Sequence, residues 1–181
     1  MKKRPQVAKQ ATNILSDIRG LAAVEFALLL PLMLLLYLGG IEVSQAVSVN
    51  RKLTLTVRTA ADLASQSRTL SNSEIGNILN ASAAVMTPYT INKLKLSISA
   101  VDIDGKGKAT ITWSRTLNGA ARPQGQTVSV PSNLKIANTS LIWSEGSYDY
   151  KPTIGYVITG SITLKDQLYM RPRVSDKVNC C

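Results

Sequence analysis

Histidine is missing from all 181 residues, and cysteine occurs only as Cys180 and Cys181 at the very end. Without histidine there is no His-based catalytic triad and no histidine ligand for zinc. Two adjacent cysteines do not supply the separated pairs that structural zinc sites need. No Walker-type loop or dinucleotide fingerprint occurs, and there is no internal repeat or low-complexity tract. Two short motifs remain, and both are weak. Ser132-Asn133-Leu134-Lys135 has the Ser-x-x-Lys spacing without its companion motifs. Asp102-Ile103-Asp104-Gly105 looks like the start of a calcium loop, but the twelfth position would be Trp113 instead of a glutamate, so a hairpin turn is the expectation. The chain is therefore not expected to be an enzyme, and no metal, cofactor or small-molecule substrate is expected.

Acidic residues are also scarce. There are 11 Asp+Glu against 21 Lys+Arg, a net charge of +10. The excess is unevenly placed. Residues 1–20 carry Lys2, Lys3, Arg4, Lys9 and Arg19 against Asp17, and an apolar run begins immediately afterwards. Basic density just before an apolar span favours a topological role over nucleic-acid binding.

That run extends from Leu21 to about Val43. As a helix, Leu21 to Ile41 would reach roughly 31 Å, matching a hydrocarbon core of about 30 Å. The basic N-terminal side is expected to stay in the cytoplasm, and Arg51, Lys52 and Arg58 on the far side do not reverse this. One acid, Glu25, stands inside the run. A carboxylate in a membrane-length apolar segment is costly and calls for a reason. Cleavage after Gly20 would supply one, because Leu21 would then carry a new ammonium one helical turn from Glu25. Two plainer alternatives stay open. One is a secretory signal cut after Ser44-Gln45-Ala46, although the apolar run is longer than such signals need. The other is an uncleaved anchor with Glu25 snorkelling to the interface.

The run Arg19-Gly20-Leu21-Ala22-Ala23-Val24-Glu25-Phe26-Ala27-Leu28, followed by Pro31 and Gly39-Gly40-Ile41-Glu42, resembles the TadE-like minor pseudopilins of the tight-adherence (Tad/Flp) type IV pilus system. The resemblance is concentrated in residues 19–45. Fainter echoes lie at Tyr148-Asp149-Tyr150-Lys151-Pro152 and Tyr169-Met170-Arg171-Pro172-Arg173. Leu21 departs from the small residue common after the glycine. The resemblance implies cutting between Gly20 and Leu21 by a membrane-embedded prepilin peptidase. It also implies a mature N-terminus at Leu21, and Glu25 neutralising that ammonium in its own or an adjacent subunit. Glycine before the cut lets protease groups approach the backbone, and burying the two charges as a pair is tolerable where burying either alone is not. Implied partners are sibling minor pseudopilins, a major Flp-type pilin, the inner-membrane assembly platform and membrane lipid. The implied location is the bacterial inner membrane, single-pass with the N-terminus inside, or an extracellular pilus. Pro31 and Gly39-Gly40 admit two readings, a flexible stem or the ordinary proline and glycine of membrane helices.

Beyond the stem, Leu53, Val57, Ala60 or Ala61, and Ala64 recur at helical spacing to about Ser67. Ser71-Asn72-Ser73-Glu74 reads as a capping box opening a second helix with Ile75, Ile78, Leu79 and Ala83 on one face, ending near Thr87-Pro88. The period then becomes two. Leu94, Leu96, Ile98 and Ala100 alternate with polar residues, Asp104-Gly105-Lys106-Gly107 turns the chain, and Ala109, Ile111 and Trp113 alternate again. Residues 118–126 read as a polar loop. Gln126–Val130, Ser140–Tyr150 and Ser161–Arg171 are further strand candidates, with a short helical turn within 131–139. The expected fold is α+β and pilin-like: a long N-terminal helix, a second short helix, and a mainly antiparallel sheet packed on the stalk. The domain division is a leader 1–20, a transmembrane stem 21–43, and an extracytoplasmic domain 44–181 that includes a stalk helix 44–67.

A second function class stays open, an uncleaved anchored module for polyanions or cell-wall polymer. Lys93, Lys95, Lys106 and Lys108 lie near one hairpin and are expected to share a face for that purpose. Cys180 and Cys181 are candidates for an intermolecular disulfide, since a bridge between neighbours closes only a strained ring.

Overall fold

The computed structural model describes residues 20–152, 155 and 159–181. Residues 1–19, the expected basic leader apart from Gly20, lie outside the described residues. From Leu21 the chain forms one helix, α1 (Leu21–Ser65), which passes through Pro31 and Gly39-Gly40 without interruption. Its two halves have different surroundings. Residues 21–37 are all exposed, and burial starts at Leu38. The upper half presents a stripe at helical spacing that includes Val49, Leu53, Val57, Ala60 and Ala64. All but Val49 are positions the periodicity singles out, and all are at most 1% exposed. Burial begins slightly earlier than the expected boundary at residue 44, because Glu42 already sits on the buried stripe.

Helix α2 (Asn72–Ala84) starts at the expected capping box. The Glu74 amide donates to Ser71 Oγ at 3.3 Å, and the Ser71 amide donates to Glu74 Oε2 at 2.7 Å. Two otherwise unpaired helix-end donors are satisfied in this way. Ile75, Leu79 and Ala83 are buried on one face of α2, and the helix ends a few residues before Thr87-Pro88.

Among the described residues, seven strands follow the chain order β1 (Thr69–Leu70), β2 (Leu94–Ile103), β3 (Ala109–Leu117), β4 (Thr127–Val128), β5 (Thr139–Tyr150), β6 (Ile162–Met170) and β7 (Asn179–Cys180). Five make an antiparallel sheet in the order β4-β3-β2-β5-β6, while β1 and β7 pair in parallel. The fold is α+β with the sheet laid against the stalk, as the sequence pattern predicts. The β2–β3 turn is held by Asp104 Oδ1, which accepts from the amides of Lys106 and Lys108 at 2.9 and 2.8 Å. Gly107 supplies the φ of +78° that closes it.

One expectation needs correction here. Ala100 pairs with Trp113, but Val101 pairs with Ile111, which leaves Thr112 as an extra residue. This β-bulge reverses the alternation. Trp113 joins the core under α1 with Leu94, Leu96 and Ile98. Ala109 and Ile111 belong to a second cluster with Val101, Ile103, Leu141 and Trp143. The three residues of β3 therefore do not line one face. The candidate strand 126–130 shrinks to the two residues of β4.

The stalk and sheet fit closely because β5 carries Gly146 where α1 crosses it, beside Leu53 and Val57. The main core lies between the buried stripe of α1, the inner face of α2, and the even-numbered residues of β2 and β5. Met170, at the end of β6, accepts a contact from Ser65 Oγ at 3.3 Å. Thus β5 descends along α1 as α1 ascends, and the sheet stands alongside the stalk.

Candidate functional site

The site begins at the N-terminus of α1. Gly20 occupies the cap position with φ −80° and ψ −14°, values open to any residue, and its side chain position makes no capping bond. Among the described residues, a Cβ placed on it would meet no atom within 4 Å. Neither its backbone conformation nor packing among the described residues therefore requires glycine at residue 20. Leu21 and Phe26 are 58% and 57% exposed, and Glu25 is exposed between them. Helical geometry sets Leu21 and Glu25 on one face, one turn apart. Pro31 and Gly40 are exposed, and Gly40 likewise has open space around it.

The apolar segment presses on nothing in its own domain. A window within α1 has mean hydropathy 2.3 and is 0% buried, and by length and composition the helix is long enough to cross a membrane. Leaving so much leucine surface in water would be unfavourable by about 25 cal/mol per Å². The segment is a candidate membrane span of the kind the sequence predicts.

Glu42 marks the upper end of that exposed segment. It is 1% exposed, an unusual state for a carboxylate. Its surroundings include Tyr150 at the foot of β5. Burial pushes the Tyr150 hydroxyl above its usual pKa, and the charge of Glu42 and then Tyr89 adds to the rise. Burial likewise raises Tyr148, with Tyr89 contributing second. The acid and the tyrosines thus mark the junction between stem and domain.

The family model described as "TadE-like protein" matches residues 20–62. Over its stem and stalk the chain is similar to that family. The match begins at Gly20, at the head of α1, and ends at Asp62, within the last turns docked on the sheet. No curated protein and no solved structure matches the chain.

Outside the TadE-like segment, the structure gathers residues that the sequence pattern does not connect. On the sheet face turned away from α1, Arg122 of the 118–126 loop donates to both carboxylate oxygens of Glu145, at 2.9 and 2.7 Å. Its guanidinium lies 4.2 Å from the centroid of the Trp143 ring. Trp143 stacks on Tyr169 with centroids 5.3 Å apart. The bond from Glu145 is the main cause of a raised Arg122 pKa. This fork-to-fork pairing pins the loop to the sheet. No spacing rule links Arg122 to Glu145. The only signal in the sequence was a lone arginine in a loop otherwise rich in Gly, Ala and Gln.

The expected lysine cluster is not brought together. Lys93 and Lys95 stand at the start of β2, whereas Lys106 and Lys108 lie in and beside the turn at its other end. The strand between them is about 30 Å long. At the C-terminus the two disulfide candidates stand side by side, Cys180 closing β7 and Cys181 following it. The tail is well tied. Val178 is buried and its carbonyl accepts from Trp113 Nε1 at 2.8 Å, the Asn179 amide donates to Arg68 O, and the Cys181 amide donates to Leu70 O. Upstream, the Arg173 amide donates to Ser65 O at 2.9 Å, and its guanidinium meets Asp62 at 2.6 Å. Residues 173–181 therefore strap the top of α1 to the sheet.

Proposed function

We propose that the chain is a prepilin-type minor subunit, cut between Gly20 and Leu21 by a prepilin peptidase, that takes part in assembling, priming or anchoring a Tad adhesive pilus. The observation that carries this reading is the unexplained glycine. Gly20 has an ordinary helical conformation with open space around it. The described residues give no packing reason for glycine there, and close approach of protease groups to the backbone supplies one.

Cutting there frees an ammonium at Leu21, one turn from Glu25. Near the positive end of the helix dipole an acid gains roughly 0.3–1 kcal/mol. The larger gain is pairing. When stems pack together away from lipid, an amine and an acid that neutralise each other avoid the several kcal/mol cost of burying either ion alone. Glu25 then acts as a register device between neighbouring stems. The N-terminus faces the cytoplasm and the α+β domain lies outside the inner membrane. The partners are the peptidase, sibling pseudopilins, the major Flp-type pilin and the assembly platform.

Mass spectrometry of the protein extracted from membranes tests the reading. The mature chain should begin at Leu21, and Gly20→Trp should abolish that processing. An intact Met1, or a chain beginning at Val47, would refute it. Glu25→Gln should still be cut yet fail to support pili.

A further inference from the structure

The register of the sheet places a second potential site on its outward face, away from the stem and from the TadE-like match. Lys95 on β2 lies opposite Ser147 on β5, and Ser147 lies opposite Lys165 on β6. Directly opposed residues of antiparallel strands share a face. These three side chains therefore form one row across the sheet, and two strand spacings set the lysine Cα atoms about 10 Å apart. The neighbouring row runs Thr116, Ser97, Glu145 and Gln167. Together the two rows line a groove of ≈ 610 Å³, bounded on one side by Gly119 and Ala120 of the loop that Arg122 pins down. That volume lies within the range of ligand clefts, about 300–1,000 Å³.

The lining of the groove carries two lysines, Lys95 and Lys165, and two acids, Glu145 and Asp166. Glu145 has both oxygens engaged by Arg122, so its negative charge is matched. Asp166 at the rim accepts from the Gln167 amide at 2.8 Å. Lys95 and Lys165 are exposed, and neither forms an ion pair with a described residue. Two lysines without an ion pair among the described residues thus flank Ser147, one on each neighbouring strand. No bare aromatic ring is offered. Trp143 is 6% exposed, roofed by Arg122 and stacked on Tyr169. Single-stranded nucleic acid relies on exposed rings for base stacking, so this groove suits it poorly. Sugar hydroxyls match the Ser97, Ser147 and Gln167 groups, and carboxylates match the lysines.

We propose that this groove binds a stretch of acidic polysaccharide, with uronate-type carboxylates on Lys95 and Lys165 and sugar hydroxyls on Ser97, Ser147 and Gln167. The inference does not depend on processing at Gly20, so an uncleaved chain would be expected to bind equally well.

The test uses the full chain in lipid nanodiscs, titrated calorimetrically with a galacturonic acid hexamer. A neutral galactose hexamer and a thymidine hexanucleotide serve as comparison ligands. Binding should be seen only with the acidic sugar and should weaken with salt. Lys95→Gln with Lys165→Gln should weaken it about tenfold or more, since each lost charged hydrogen bond is individually substantial. Lys106→Gln with Lys108→Gln, at the other end of the hairpin, should leave it unchanged. Ser147→Tyr, which fills the groove without altering charge, should also abolish binding. Equal losses from both lysine pairs would reduce the effect to diffuse charge and overturn the proposal. Equal binding of the oligonucleotide or the neutral sugar, retained binding in Ser147→Tyr, or no binding at millimolar hexamer would overturn it as well.

Discussion

Gly146 leaves room for Val57. A Cβ at Gly146 would sit 2.5 Å from Val57 Cγ2 and 2.9 Å from Leu53 Cδ1, closer than real Cβ contacts allow. The stalk rests on the sheet at this point because β5 has no side chain there. Gly146→Ala is expected to destabilise the domain by about 1–3 kcal/mol through overpacking. Chemical denaturation of the full chain in micelles would measure it. Adding Val57→Ala should restore part of the loss, a non-additivity that identifies the contact itself.

The tail strap makes a separate prediction. Trp113→Phe keeps the ring in the core but removes the bond to the Val178 carbonyl. The expected loss is about 1–3 kcal/mol, because the carbonyl is left unpaired in a buried site. Hydrogen exchange should show the effect at Asn179 and Cys181, whose amides bond to Arg68 and Leu70. A uniform change across β2 and β5 instead would mean that Trp113 acts through packing alone.

Arg122 should report through the Trp143 ring it covers. Arg122→Ala removes the bidentate pair with Glu145 and the cation–π contact. Both partners are about a third exposed, 32% and 27%, so the cost to stability is modest, roughly 1 kcal/mol. The spectroscopic effect should be larger: a change in Trp143 fluorescence and near-UV dichroism, with Arg122→Lys failing to restore either, since lysine lacks the planar fork.

The pH dependence follows from two sets of groups. Glu74 is held below its ordinary value of 4.5, first by the Ser71 amide and then by the Ser71 hydroxyl. With the folded pKa depressed, the capping box contributes fully above the ordinary carboxylate value and is lost as pH falls through the folded one. Tyr148, Tyr150 and Tyr169 are raised above 10.0, each chiefly by burial. Their contribution is present below the unfolded value and lost as pH rises through the folded one. Thermal unfolding should therefore weaken at both extremes. Glu74→Gln should flatten only the acid limb, and Tyr150→Phe only the alkaline limb.

Much of this architecture is legible in local patterns. The stripe Leu53, Val57, Ala60 and Ala64, the Ser71–Glu74 box and the alternation Leu94–Ala100 each reflect neighbours in sequence, where period and chemistry suffice. The features that escape local reading depend on distant partners. The bulge at Thr112 is set by the register between β2 and β3. Gly146 is explained only by a helix some ninety residues earlier, and Arg122 only by Glu145 across the sheet. The tail reads as a loose end because its anchors lie far back in the chain, Arg68 just before β1, Leu70 in β1 and Trp113 in β3. For the stem, the roles of Gly20 and Glu25 come from the sequence motif. The structure adds that the described residues make no demand for that glycine.

Because α1 has no break between the exposed leucines and the turns seated on Gly146, the domain is keyed to its rod and has no swivel. Wherever several rods gather side by side, the angle at which each one enters the cluster also fixes which way its sheet looks. The face bearing Lys95 and Lys165, opposite the rod, would then point outward around the circumference. One rotational choice at the base would decide what the whole assembly displays to its surroundings.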